Sequence, residues 1–138
     1  MSLSSTAGHT APEIHTVTSW HEALNAGDVE RLLKLSHPDV EVGGPRGMGR
    51  GAQLLRKCVD RANIHLEPGR VFHEADTVVV EQEADWRSTQ HGESNGGRTV
   101  ASAFVVNGGL VTSVVRYPEV AEALRAANFD ESNEQGPE

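Results

Sequence analysis

Three sets of residues in this 138-residue chain have types and spacings that chemistry could use. The first is GGPRGMGRG, Gly43 to Gly51, where Arg46 and Arg50 precede a helical run and could hold an anion at that helix's N-terminus. The order of a phosphate loop is missing and no lysine follows Gly51, so a plain strand-to-helix connection is the favoured reading. The second is Gly92-Glu93-Ser94-Asn95-Gly96, which fits the GxSxG pattern. A nucleophile elbow needs a strand before it and a helix after it, whereas strand patterns flank this one on both sides, so the match is formal. The third is the histidine set, seven in all. No HxH or HExxH pair occurs, and His37, His65 and His73 form only loose neighbourhoods, short of the three convergent ligands of a catalytic zinc. No metal is assigned. His37 and His73 are retained as candidates for a general base, since a neutral imidazole can act near neutral pH.

The elements that must position these groups follow from periodicity. Ile14, Val17, Trp20 and Leu24 recur at helical spacing, and the spacing predicts a helix over 13–26. Gly27 suits the left-handed stop of that helix and Asp28 the cap of a short second one, VERLLKLS, which ends before Pro38. DVEV at 39–42 alternates as a strand; the glycine run follows, then a helix with Leu54, Leu55, Cys58 and Val59 as its apolar stripe. Strands are expected over 64–74, with a bulge or kink at Pro68-Gly69, and over 77–87. QHGESNGG at 90–97 reads as a polar hairpin loop, and 100–106 and 110–117 as a hairpin closed by Asn107-Gly108-Gly109. Pro118 sits in the first turn of a last helix, PEVAEALRAAN. Helices followed by an antiparallel meander define an α+β class.

Composition narrows the function. The length suits one domain, placed at 13–129, with a flexible segment at 1–12 and a disordered acidic tail at 130–138. The net charge of −8, with 12 scattered basic residues, argues against nucleic acid. No basic-then-apolar leader and no bilayer-length apolar run occur, and the single cysteine, Cys58, fits a reducing compartment. The expectation is a soluble, cytoplasmic protein with no membrane partner. On the strands at 100–106 and 110–117 the second face is also apolar, with Ala101, Ala103, Val105, Val111 and Val115. An exposed face of that kind would be sticky, which predicts a homodimer through the outer sheet face.

The stretch WHEALNAGDVERLLKLSHPDVEVGGPRG, Trp20 to Gly47, resembles the opening of the nuclear transport factor 2-like superfamily. That group includes ketosteroid isomerases, limonene epoxide hydrolases, scytalone dehydratase and SnoaL-like polyketide cyclases. LVTSVVRYP and EVAEALRAAN near the end are also similar to it. The resemblance implies a curved antiparallel sheet wrapped around the N-terminal helices, a cone-shaped, cystatin-like α+β barrel with an apolar pocket for a small molecule. It implies a homodimer as well. Matched to the isomerase pattern, Trp20 falls at the oxyanion-holding tyrosine, Gly44 at the general-base aspartate and Ser102 at the second oxyanion donor. Glycine cannot act as a base, so steroid-type isomerisation is not expected. Matched to the epoxide hydrolase pattern, Gln82, Ala84 and Arg116 replace its working residues, while strand alternation turns Glu81, Glu83 and Asp85 outward.

The resemblance leaves an interior set of Trp20, Gln82, Trp86, Ser102, Phe104 and Arg116, with Val80, Val106 and Val114 as apolar wall. Arg116 suits a carboxylate, enolate or phosphate, or else a structural ion pair with Glu119. The two tryptophans suit either core packing or stacking on a ligand. Two functions follow. One is a cofactor-free enzyme of isomerase, cyclase or lyase type, with Arg116 stabilising an anion or enolate and His73 or His37 as base. The other is a non-catalytic module that binds an apolar acid. A protein-interaction subunit is a third reading.

Overall fold

The computed structural model describes residues 12–44, 47–62, 64–87 and 94–134, with backbone alone for 58–62, 64, 85–87, 94–97 and 131. Helix α1 (Pro12–Ala26) ends where the sequence predicts. Gly27 takes φ +73°, and the amides of Gly27 and Asp28 bond back to the carbonyls of Leu24 and Ala23. Asp28 then accepts a bond from the Arg31 amide and so caps α2 (Val29–Lys34).

Strand β1 (Ser36–Gly44) is longer than the expected DVEV, and it pairs with β2 (Gly47–Arg50). The glycine run is thus a β-hairpin rather than a bare connection. Pro45 and Arg46, between the two strands in sequence, lie outside the described residues. Gly47 and Gly51 hold φ of +135° and +112°, values that L side chains rarely adopt. The Gly51 amide bonds to the Val40 carbonyl, and helix α3 (Ala52–Ala62) begins there.

Four strands follow: β3 (Ile64–Glu74), β4 (Thr77–Arg87), β5 (Ser94–Asn107) and β6 (Leu110–Tyr117). The register of β3 on β4 shifts between Pro68 and Val71, at the expected interruption. Helix α4 (Val120–Ala127) is closed by Asn128 in the left-handed conformation. The sheet is a six-stranded curved layer in the order β2-β1-β6-β5-β4-β3. Its two edge strands do not pair with each other, so it stays open where a barrel would close. All pairings are antiparallel except β1 with β6, which is parallel because the whole meander separates them along the chain.

Each sheet face has its own core. On the inner face, Val17, Trp20, Ala23 and Leu24 of α1 meet Leu66, Val78, Val80, Ala84, Val100, Phe104 and Val114. On the outer face, Ala123 of α4 buries Phe72, Val79 and Ala101, with Ala103, Tyr117, Val120 and Leu124 around them. The outer face is therefore covered in part by the chain's own last helix, which lessens the stickiness that argued for a partner. Val111, expected on that face, is buried in the inner core instead. A register shift between Val105 and Val106 turns it round. The tail expected to be disordered from residue 130 is placed as far as Glu134. A short 3-10 turn (Glu131–Asn133) brings Glu134 to bridge Phe72, and its carboxylate takes two bonds from Arg70, at 3.0 and 3.1 Å. Residues 1–11 and 135–138 lie outside the described residues.

Candidate functional site

Direct pairs across the ladder share a face. Val80 opposes Ser102, which opposes Arg116, and Gln82 opposes Val100. This set belongs to the inner face, beneath α1, because Val80 and Val100 lie in that core. The same alternation sends Glu81 and Glu83 to the other side, where Glu83 accepts a bond from Thr99. Asp85 and Trp86 lie on β4, but their side chains are outside the described residues. A Cβ built on Gly44 would sit 3.9 Å from the Arg116 Cβ, in ordinary contact. The position that the resemblance matches to a general-base aspartate thus neighbours Arg116, and here it has no side chain.

Trp20, Phe104, Gln82 and Ser102 lie together on the inner face. The rings of Trp20 and Phe104 meet edge-on at 5.2 Å. The residue that joins them was not anticipated: His21, 2% exposed, whose ring lies 5.5 Å from Phe104 and 5.9 Å from Trp20. Its signal was present, since position 21 is four after Val17 and three before Leu24, within the apolar stripe of α1.

His21 begins a buried chain of hydrogen bonds. Nδ1 lies 2.9 Å from the Val17 carbonyl oxygen, Nε2 lies 2.8 Å from Gln82 Nε2, and Ser102 donates to Gln82 Oε1 at 2.9 Å. Gln82 and Ser102 are 1% and 3% exposed. Burial pushes the His21 imidazole below the ordinary histidine range, against smaller upward pulls from the Val17 carbonyl and from Glu67. The ring is therefore neutral at physiological pH. A second chain uses the Trp20 indole, which donates to Ser36 Oγ at 3.2 Å while Ser36 donates to the Leu32 carbonyl at 2.9 Å. The Trp20 N–H, at the position that the resemblance matches to an oxyanion-holding tyrosine, is thus engaged within the fold.

Of the two histidines retained as bases, His73 opposes Val78 and so shares the inner face, outside the His21 chain. His73 contacts Glu13 at the start of α1, at 3.2 Å, and the Ala75 carbonyl at 2.9 Å. His37 accepts a bond from the Asp39 amide at 3.0 Å, a local turn contact. His65 Nε2 lies 3.7 Å from Glu67 Oε1 at the surface. Arg50, one of the two arginines of the glycine run, is bonded to Glu41 at 2.8 Å across the hairpin, which leaves the anion-cradle idea little support. Ser94 opens strand β5 opposite Arg87, with no helix after it, so the elbow geometry is absent there. Residues 92 and 93 lie outside the described residues. Among the described residues, no three of His, Cys, Asp or Glu gather as a metal site would require, and no helix is long and apolar enough to cross a membrane.

Known proteins share this fold. The SnoaL-like domain family matches residues 17–114, and the chain belongs to that family, within the nuclear transport factor 2-like superfamily. Several solved structures share the fold. TerC, crystallised with polyporic acid, is 18% identical with a TM-score of 0.70, covering 83% of this chain and 97% of its own. A candidate polyketide cyclase from Xanthomonas campestris pv. campestris is 22% identical at a TM-score of 0.65, covering 83% and 95%. A cystatin-fold protein from Novosphingobium aromaticivorans is 16% identical at 0.67, covering 78% and 98%. A search of curated proteins found no match.

Proposed function

We propose that the inner face of the sheet binds a small, largely apolar organic molecule through one acidic or enolic oxygen, with Arg116 as the charge partner. The observation that carries this reading is the His21–Gln82–Ser102 chain. It places three polar side chains, each at most 3% exposed, in an otherwise apolar interior and ends at the cross-strand neighbour of Arg116. Buried polar groups weaken a core unless satisfied, and here they converge on one place, as the few polar groups of a small-molecule site do. The half-buried guanidinium adds a cation that favours carboxylate or enolate. The co-crystallisation of TerC with an organic acid supports the same ligand class for this chain.

A second reading, a cofactor-free isomerase, cyclase or lyase step on that ligand, is favoured by the family and by the neutral imidazole of His21. Its Nε2 lone pair is already bonded to Gln82 and would have to be released before it could take a proton. Binding without turnover is therefore the better-supported reading. Titration of small carboxylates and aromatic ketones, followed by NMR in wild type and Arg116→Ala, tests both readings. The expected result is binding that weakens about 10- to 100-fold in the variant, as loss of a charge-assisted hydrogen bond requires. Binding indifferent to Arg116→Ala overturns its role, and product formation restores the enzyme reading.

A further inference from the structure

The hydrogen bonds of the inner face have a direction. The Val17 carbonyl is an acceptor only, so the proton of the neutral His21 ring lies on Nδ1, 2.9 Å from it. Nε2 is then a bare lone pair, and the Gln82 amide nitrogen at 2.8 Å donates to it. In that orientation the amide oxygen of Gln82 faces Ser102 and takes its hydroxyl proton, at 2.9 Å. Turning the amide over would set its oxygen against the ring's lone pair, acceptor against acceptor. The ring therefore dictates the amide, and the amide dictates the hydroxyl. With its proton committed, Ser102 can offer only lone pairs toward its cross-strand neighbour Arg116. The Trp20 N–H is committed as well, to Ser36.

We infer that His21 is a specificity-determining positioning residue. Acting through Gln82, it presents Ser102 as a hydrogen-bond acceptor, so the molecule bound here is a hydroxy acid or its N–H equivalent: a donor to Ser102 and an anionic oxygen to Arg116. Ser102 and Arg116 stand side by side on one face, so a single small molecule can span both. This inference rests on the ligand reading given above and adds the polarity of the second contact. A donor group that meets an acceptor is favoured over its methylated analogue, because methylation both removes the bond and leaves the buried Ser102 oxygen without a ligand partner.

The test has a ligand-free arm and a ligand arm. Long-range nitrogen–proton NMR of the histidine rings in wild type should place the His21 proton on Nδ1; a proton on Nε2 overturns the relay. In the second arm, meta-hydroxybenzoate and meta-methoxybenzoate are titrated against wild type, Ser102→Ala, His21→Leu and Arg116→Ala. The hydroxy acid should bind at least about tenfold more tightly than the ether in wild type, and the preference should fall below about threefold in Ser102→Ala and His21→Leu. Ser102→Ala, a small change, decides the matter even if His21→Leu does not fold. Equal binding of the two acids, still weakened by Arg116→Ala, overturns this inference and leaves the proposed function standing. Binding of neither acid overturns the hydroxy-acid class and counts against the proposed function too.

Discussion

Acidification should destabilise this fold through one ring. His21 is 2% exposed and held neutral, with Trp20 and Phe104 packed on it and Glu67 as the charged group acting on it. In the unfolded chain it titrates near the ordinary histidine value of about 6.5; in the folded chain its pKa is lower. As pH falls through about 6.5 the unfolded state takes up a proton that the folded state refuses, so stability drops with falling pH and levels off below the folded pKa. The slope approaches about 1.4 kcal/mol per pH unit, and integration from pH 7 to pH 5 gives at most about 2 kcal/mol for a ring that stays neutral throughout. For a domain of this size that is a fall in Tm on the order of 6–8 °C. Urea unfolding of wild type and His21→Gln at half-unit steps between pH 7 and pH 5 isolates the ring, because the other histidines are common to both. Wild type should lose stability over this window by more than the variant, with the gap closing at low pH. Parallel profiles would refute the reasoning, since they would mean that the ring titrates alike in both states.

Further outcomes follow from other contacts. The Asn25 amide bonds both the amide and the carbonyl of Leu66, at 2.9 and 2.8 Å, and so ties the end of α1 to edge strand β3. Asn25→Ala should cost about 1–2 kcal/mol in denaturant unfolding, toward the lower end because water reaches an exposed side chain; a change below about 0.3 kcal/mol would remove that tie. Gly44→Asp meets nothing closer than the Arg116 Cβ at 3.9 Å, so it should fold with little change in Tm. Its carboxylate beside Arg116 should weaken anion binding by about tenfold in the same NMR titration, and unchanged binding would place the anion elsewhere. We also propose a homodimer through the part of the outer face that α4 leaves open, where Val105 and Val115 are half-buried. Sedimentation at micromolar concentration should show two copies, and a monomer there would end that proposal.

Much of the fold was legible because local chemistry and tertiary packing agree. The Gly27-Asp28 stop and cap, the interruption at Pro68-Gly69 and the Asn107-Gly108-Gly109 hairpin each act within a few residues, and each is where the sequence puts it. What escaped depends on partners distant in the chain. The short strand Gly47–Arg50 has no strand-forming side chains and exists because β1 lies beside it. Val111 changes face through a one-residue shift against β5, and the outer sheet face is covered by α4 from the far end of the chain. At the site, Gln82, Ser102 and Phe104 could be placed by alternation and resemblance, whereas His21 was hidden by its own neighbours. A polar residue within an apolar stripe declares itself only when its partner is known, and Gln82 lies 61 positions away.

The central claim is that the inner face is a ligand site and that Arg116 holds the ligand's anionic oxygen. Its most direct test is the dissociation constant of meta-hydroxybenzoate for wild type and Arg116→Ala, read by NMR from the amide shifts of Ser102, Gln82 and Gly44. The account predicts saturable shifts at those three amides in wild type and at least about tenfold weaker binding in the variant. Equal binding in the two proteins, or shifts confined to other parts of the chain, would contradict it.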